Sequence, residues 1–154
     1  MRSLDREELS LNDAASHLLE ECRTVVPGMQ ALFGFQLIAV FNTVFAERLS
    51  STERIVHLAA IVLVTIAIAL VMAPAALHRQ TEPMAVSRRF IRISSWLLLA
   101  SMLPLAVGIC LDVYLVARLV LGSRGVAAMV AGSLLGVSTI VWLLLPRMSR
   151  SPTT

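Results

Sequence analysis

The chain has no lysine and little charge of any kind. All 13 basic residues are arginine, and charged residues make up only 15% of the 154, against about 25% in an ordinary soluble domain. That deficit argues against a soluble fold, whose surface needs ionic side chains. Aromatic residues are scarce as well, and no arginine cluster is interleaved with them. So the pI of about 9.7 does not point to nucleic acid, which would call for a basic, aromatic-lined face. There are only two cysteines, Cys22 and Cys110. They stand in different segments, one ahead of an apolar block and one deep inside another, which argues against a mutual disulfide. The first twenty residues are acidic and lack the apolar core of a secretory signal. Nothing alternates polar and apolar over ~10 residues, so a membrane β-barrel is excluded.

The residues in abundance are apolar, and they come in four blocks. These run about 24–45, 55–77, 93–117 and 126–145, each long enough for the ~20 helical residues that cross ~30 Å of hydrocarbon. Helices are the default, because an open strand edge leaves its backbone groups unsatisfied in lipid. The expected fold is an all-α membrane protein, a four-transmembrane-helix bundle with a short N-terminal amphipathic helix. Residues 1–23 form a cytoplasmic amphipathic segment, 24–146 the membrane domain and 147–154 a cytoplasmic tail. Leu11, Ala15, Leu18, Cys22 and Val25 recur at helical spacing from the first of these into the second. Its acidic face, Asp13, Glu20 and Glu21, suits docking against Arg79, Arg88, Arg89 and Arg92 or simple solvation.

The breaks between blocks carry ordinary punctuation. Ser50 and Glu53 have capping-box spacing, and Gly122-Ser123-Arg124-Gly125 reads as a tight turn. The stretch 78–92 is the one long internal loop expected. Arginine distribution sets the orientation. Arg2, Arg6, Arg23, Arg79, Arg88, Arg89, Arg92, Arg147 and Arg150 fall on one side, and Arg48, Arg54, Arg118 and Arg124 on the other. This predicts a multi-pass cell-membrane protein with both termini cytoplasmic.

The run Glu21-Cys22-Arg23-Thr24-Val25-Val26-Pro27-Gly28-Met29-Gln30-Ala31-Leu32-Phe33-Gly34-Phe35-Gln36-Leu37 resembles an E-x-R-x-x-x-P-G-x-Q-x-L-x-G-F-Q-L signature. That signature belongs to a family of small four-helix membrane proteins, found mainly in actinobacteria. Met72-Ala73-Pro74-Ala75-Ala76-Leu77-His78-Arg79 is similar to that family's second-span exit. The resemblance extends from about Glu20 to Leu145. It implies the four-helix fold but no established activity; the sodium:proton antiporter label that some members carry does not assign chemistry.

Polar residues inside apolar blocks are the informative ones, because lipid makes them costly. Asp112 is the only deeply placed carboxylate, with His57, Asn42 and Arg118 expected near it. One reading is a proton or cation site with Asp112 titrating; the other is a structural cap in which Asp112 bonds His57 or Arg118. A second group, Glu21, Arg23, Gln30, His78 and Arg79, is expected at the cytoplasmic mouths of the first two spans. It would serve as an anion site, an inner vestibule or a salt-bridge collar. Gln30, Gln36 and Asn42 are six apart and so point to three sides of a helix, which disfavours a pore stripe and favours interhelical hydrogen bonds. Pro104, Gly108 and Asp112 share one face of the third span. Gly132 and Gly136 form a GxxxG suited to a close helix contact, within the bundle or between subunits.

No HExxH, GxSxG, Walker A or CxxC occurs, and His17, His57 and His78 fall at separate depths, so neither an enzyme, a metal site nor a cofactor is expected. Two functions remain. One is an oligomeric cation or proton pathway, in which the chain acts as a homo-oligomer; the other is a non-catalytic membrane protein that binds a protein partner through its cytoplasmic face.

Overall fold

A computed structural model describes residues 10–81 and 86–145, and these are almost entirely helical. Helix α1 spans Leu11–Val40, α2 is the short Thr43–Arg48, α3 spans Ser51–Thr81, α4 Arg88–Leu121 and α5 Arg124–Thr139. A π-helical turn over Ile140–Leu144 continues α5.

The helix ends follow local chemistry. Ser10 caps α1 by accepting from the Asp13 N–H at 3.2 Å. At the start of α3, Ser50 N–H donates to Glu53 Oε2 at 2.8 Å while Glu53 N–H reaches Ser50 Oγ at 3.4 Å, the reciprocal capping box expected from their spacing. Helix α4 ends at Gly122, whose φ of 69° closes the helix in a left-handed turn open to glycine. Ser123 then caps α5.

The amphipathic segment leads into the first apolar block in one continuous helix, α1, with Pro27 accommodated inside it. One expected boundary gives way. The 78–92 loop is mostly helix: residues 78–81 complete α3, and Ser87 caps an α4 that begins at Arg88. Arg2, Arg6, Pro83, Pro146, Arg147 and Arg150, with the 147–154 tail, lie outside the described residues.

Three helical stretches are long and apolar enough to cross a membrane: Ser51–Gln80, Arg88–Leu121 and Arg124–Trp142. The four expected from apolar blocks are thus three by this measure. Helix α1 falls short because Pro27, Gly28, Gln30, Gly34 and Gln36 dilute its apolar run, and because it ends at Val40.

Packing follows one stripe on each of the first three long helices. On α3, Glu53, His57, Ala60, Val64, Ala67 and Val71 are buried at alternating spacings of four and three, a seam along one face. Ser94, Ser101, Gly108 and Leu115 form the matching line on α4, and Ala15, Leu18, Cys22, Met29 and Gln36 that on α1. Helices α3 and α4 pack most extensively; α1 lies mainly on α3, and α5 on α4. Gly108 marks the closest approach, where an added Cβ would lie 2.9 Å from Val64 Cγ2 and 3.2 Å from the Ala60 carbonyl oxygen. Helix α1 runs antiparallel to α3: Cys22 and Met29 cluster with Val71 and Ala67, while Gln36 meets His57. Both cysteines are buried and free, as expected.

Hydroxyls within the apolar stretches are mostly satisfied locally. Thr65, Ser101 and Thr139 donate to main-chain carbonyls three or four residues back, at 2.7–2.8 Å, which removes their cost in an apolar setting.

Candidate functional site

The polar ends of the three seams converge. Gln36 on α1, His57 on α3 and Asp112 on α4 meet near the C-terminal end of α1. Gln36 Nε2 donates to Asp112 Oδ2 at 2.6 Å, and His57 Nδ1 stands 3.3 Å from Asp112 Oδ1. His57 Nε2 lies 3.0 Å from the main-chain carbonyl oxygen of Gln36. Phe45 covers the imidazole edge-on, with ring centroids 5.0 Å apart. Gln36 and His57 are 4% and 7% exposed.

Hydrogen-bond accounting restricts the protonation of this unit. A main-chain carbonyl can only accept, so His57 Nε2 carries a hydrogen. Oδ2 of Asp112 is taken by the Gln36 amide. A hydrogen bond across the 3.3 Å His57 Nδ1–Asp112 Oδ1 contact needs a second proton there, written on nitrogen or on oxygen. Both forms have zero net charge, the condition under which an ionisable pair is tolerated in an apolar surround. Removing that proton would leave a net negative charge among apolar side chains.

The unit forms one wall of a cavity of about 280 Å³ whose other walls are largely apolar, among them Leu32, Phe35, Phe45, Leu115 and Leu119. One turn or so further along α3 and α4, Glu53 Oε1 and Arg118 Nε stand 3.3 Å apart. Two interhelical polar contacts thus tie α3 to α4 in tandem, and only the Asp112 contact also reaches α1.

The expected partners of Asp112 are partly redistributed. His57 is there. Arg118 pairs with Glu53 instead, because it lies six residues beyond Asp112 and the Ser50–Glu53 cap holds a carboxylate at its level. Asn42 falls in the turn after α1, since the helix ends at Val40. Gln36 donates to Asp112 from α1. Its signal was the need of a lone deep carboxylate for a donor, but placing it required the offset of α1 against α3, which composition does not give.

The second expected group is divided by α1. Arg23, His78 and Arg79 line one groove, of about 970 Å³, between α1 and α3. Glu21 lines a different one with His17, Ser95 and Leu98, between α1 and α4. Gln30 is exposed and lines neither. Among the described residues no ion pair joins Glu21, Arg23 and Arg79, so no salt-bridge collar forms, and Asp13, Glu20 and Glu21 make none with Arg79, Arg88, Arg89 or Arg92. The first half of α1 is held by apolar packing of Leu18 and Cys22 instead. His78 lies tilted against Phe90 at 5.4 Å. Gly132 and Gly136 have nothing within 4 Å of an added Cβ, so the GxxxG makes no close contact among the described residues. Among the described residues no three His, Cys, Asp or Glu side chains gather as a metal site.

With that geometry established, comparison with known proteins decides the affiliation. The chain belongs to DUF6328, a family of unknown function. Its pattern matches residues 6–146, a stretch that holds Gln36, His57, Asp112 and both grooves flanking α1. Membership agrees with the resemblance to an uncharacterised family. No curated protein and no solved structure matches the chain.

Proposed function

We propose that the chain is a four-span protein of the cell membrane with both termini cytoplasmic, α1 being the fourth span. We propose further that it contributes, as a homo-oligomer, to a proton or cation pathway. The observation that carries this reading is the clasp of Asp112 by Gln36 and His57 at the wall of an apolar cavity. A carboxylate set in a membrane helix and balanced by one shared proton is equipped to exchange that proton or trade it for a cation.

The arginines give a scale for depth. Arg54 and Arg79 bracket α3, and Arg92 and Arg118 bracket α4, at roughly 25 residues or ~38 Å. Centring ~30 Å of hydrocarbon between them leaves His57 and Asp112 about 12 Å from the midplane. Across the middle, Ala60, Val64, Ala67 and Gly108 pack without a gap, so a single chain offers no open conduit; this supports an oligomer. One deep carboxylate does not equip the chain for autonomous sodium:proton exchange.

The same dry middle favours a second reading, a non-enzymatic assembly protein whose cytoplasmic face binds a protein partner. The two are separated by reconstituting the purified chain in liposomes. The pathway reading expects a proton or sodium flux that Asp112→Asn abolishes. Flux indifferent to that substitution, or none at all, rejects it in favour of the partner reading, which expects a stoichiometric protein to co-purify and to be lost on deleting residues 1–20.

A further inference from the structure

We infer that the groove between the first half of α1 and the second half of α3 is a binding site for one anionic phospholipid, its phosphate held by Arg23 and Arg79. The open groove has a volume of about 970 Å³, and its polar lining among the described residues consists of Arg23, His78, Arg79 and Gln80, with no carboxylate. Among the described residues neither arginine is in an ion pair, and His78 Nδ1 is buried without a hydrogen-bond partner. The remaining wall is apolar, Val26, Val71 and Met72 among it.

Dimension and charge both favour a lipid. From Ala69 to Gln80 the α3 wall covers ~17 Å at 1.5 Å per residue, close to the depth of one leaflet. Arg79 sits at the end where lipid phosphates lie. Because Gln36 is level with His57, the part of antiparallel α1 level with the membrane centre falls around Pro27. Arg23, about one turn before it, therefore sits within the leaflet. A guanidinium at that depth needs an anion or a polar channel; with Arg23 extended outward and Arg79 inward along their apolar stems, a phosphate between their levels meets both. A basic pocket between helices on the cytoplasmic side is the setting in which anionic headgroups are held. A free phosphate would satisfy the arginines but leave the apolar wall bare; a phospholipid supplies both halves. The site uses no residue of the Asp112 cluster and stands apart from the pathway reading.

The test is native mass spectrometry of the full chain in mild detergent, with phosphatidylglycerol or phosphatidylcholine of identical acyl chains added. The site predicts at least tenfold greater retention of phosphatidylglycerol. The double substitution Arg23→Gln/Arg79→Gln should abolish that preference, and Arg88→Gln/Arg89→Gln, on α4 outside the groove, should preserve it. Ala73→Phe, which fills the apolar wall and leaves both arginines, should also lower retention, and circular dichroism checks that each variant keeps its helices. Equal retention of the two lipids overturns the proposal. So does a preference that survives loss of both groove arginines, or one lost equally on neutralising Arg88 and Arg89. Displacement of the lipid by millimolar inorganic phosphate would make this a free-anion site and overturn it likewise.

Discussion

The Gln36 side-chain amide donates to the Asp112 carboxylate at 2.6 Å, across 76 positions of chain. That contact joins a helix that misses the apolar threshold to one that clears it. It also marks the offset of α1, which the packing of Cys22 and Met29 against Ala67 and Val71 shares.

Its energetic weight is measurable. In a double-mutant cycle of Gln36→Leu and Asp112→Asn, thermal unfolding in micelles should give a coupling of ~0.6–2 kcal/mol, the range for interhelical hydrogen bonds in membranes. Additivity of the two substitutions would mean that the bond holds nothing.

Gly108 should be the least replaceable of the helical glycines. A Cβ there meets Val64 and the Ala60 carbonyl, whereas Gly132 and Gly136 face open space. Gly108→Val should destabilise the chain by about 1–3 kcal/mol, and Gly132→Ala and Gly136→Ala should leave single-chain stability nearly unchanged. A loss of dimer on changing Gly132 or Gly136, read by cross-linking, would assign the GxxxG to a contact between subunits.

The capping box and the Arg118 pair both act through Glu53. Glu53→Ala should cost about 1–2 kcal/mol, chiefly through the cap. Arg118→Ala should cost less, since Arg118 makes one partly exposed contact. Chemical unfolding of the two variants ranks them; equal losses would shift the weight to the ion pair.

Much of the fold was legible in the sequence. The apolar blocks, the Ser50–Glu53 cap, the Gly122 turn and the pairing of His57 with Asp112 follow from periodicity, cap spacing and the cost of a lone carboxylate in lipid. What was not legible is relative depth. That Gln36 rather than another α1 residue reaches Asp112 depends on the position of α1 against α3, which side-chain packing sets. Glu21 and Arg23, two positions and about 200° apart on a helix, face different grooves on either side of α1. The expected collar was a matter of sequence proximity and dissolved once the helix was given a phase. Residues 78–92 read as loop because they are polar, yet a helix that outruns the hydrocarbon keeps its polar ends helical.

The central claim is that His57 and Asp112 share one exchangeable proton in a neutral unit. Infrared difference spectroscopy of the reconstituted full chain, recorded across pH, observes that carboxyl directly. The account predicts a carboxyl-stretch change that disappears in Asp112→Asn and shifts when His57→Gln removes the partner. A change that persists in Asp112→Asn, or no change across the accessible pH range, would contradict it.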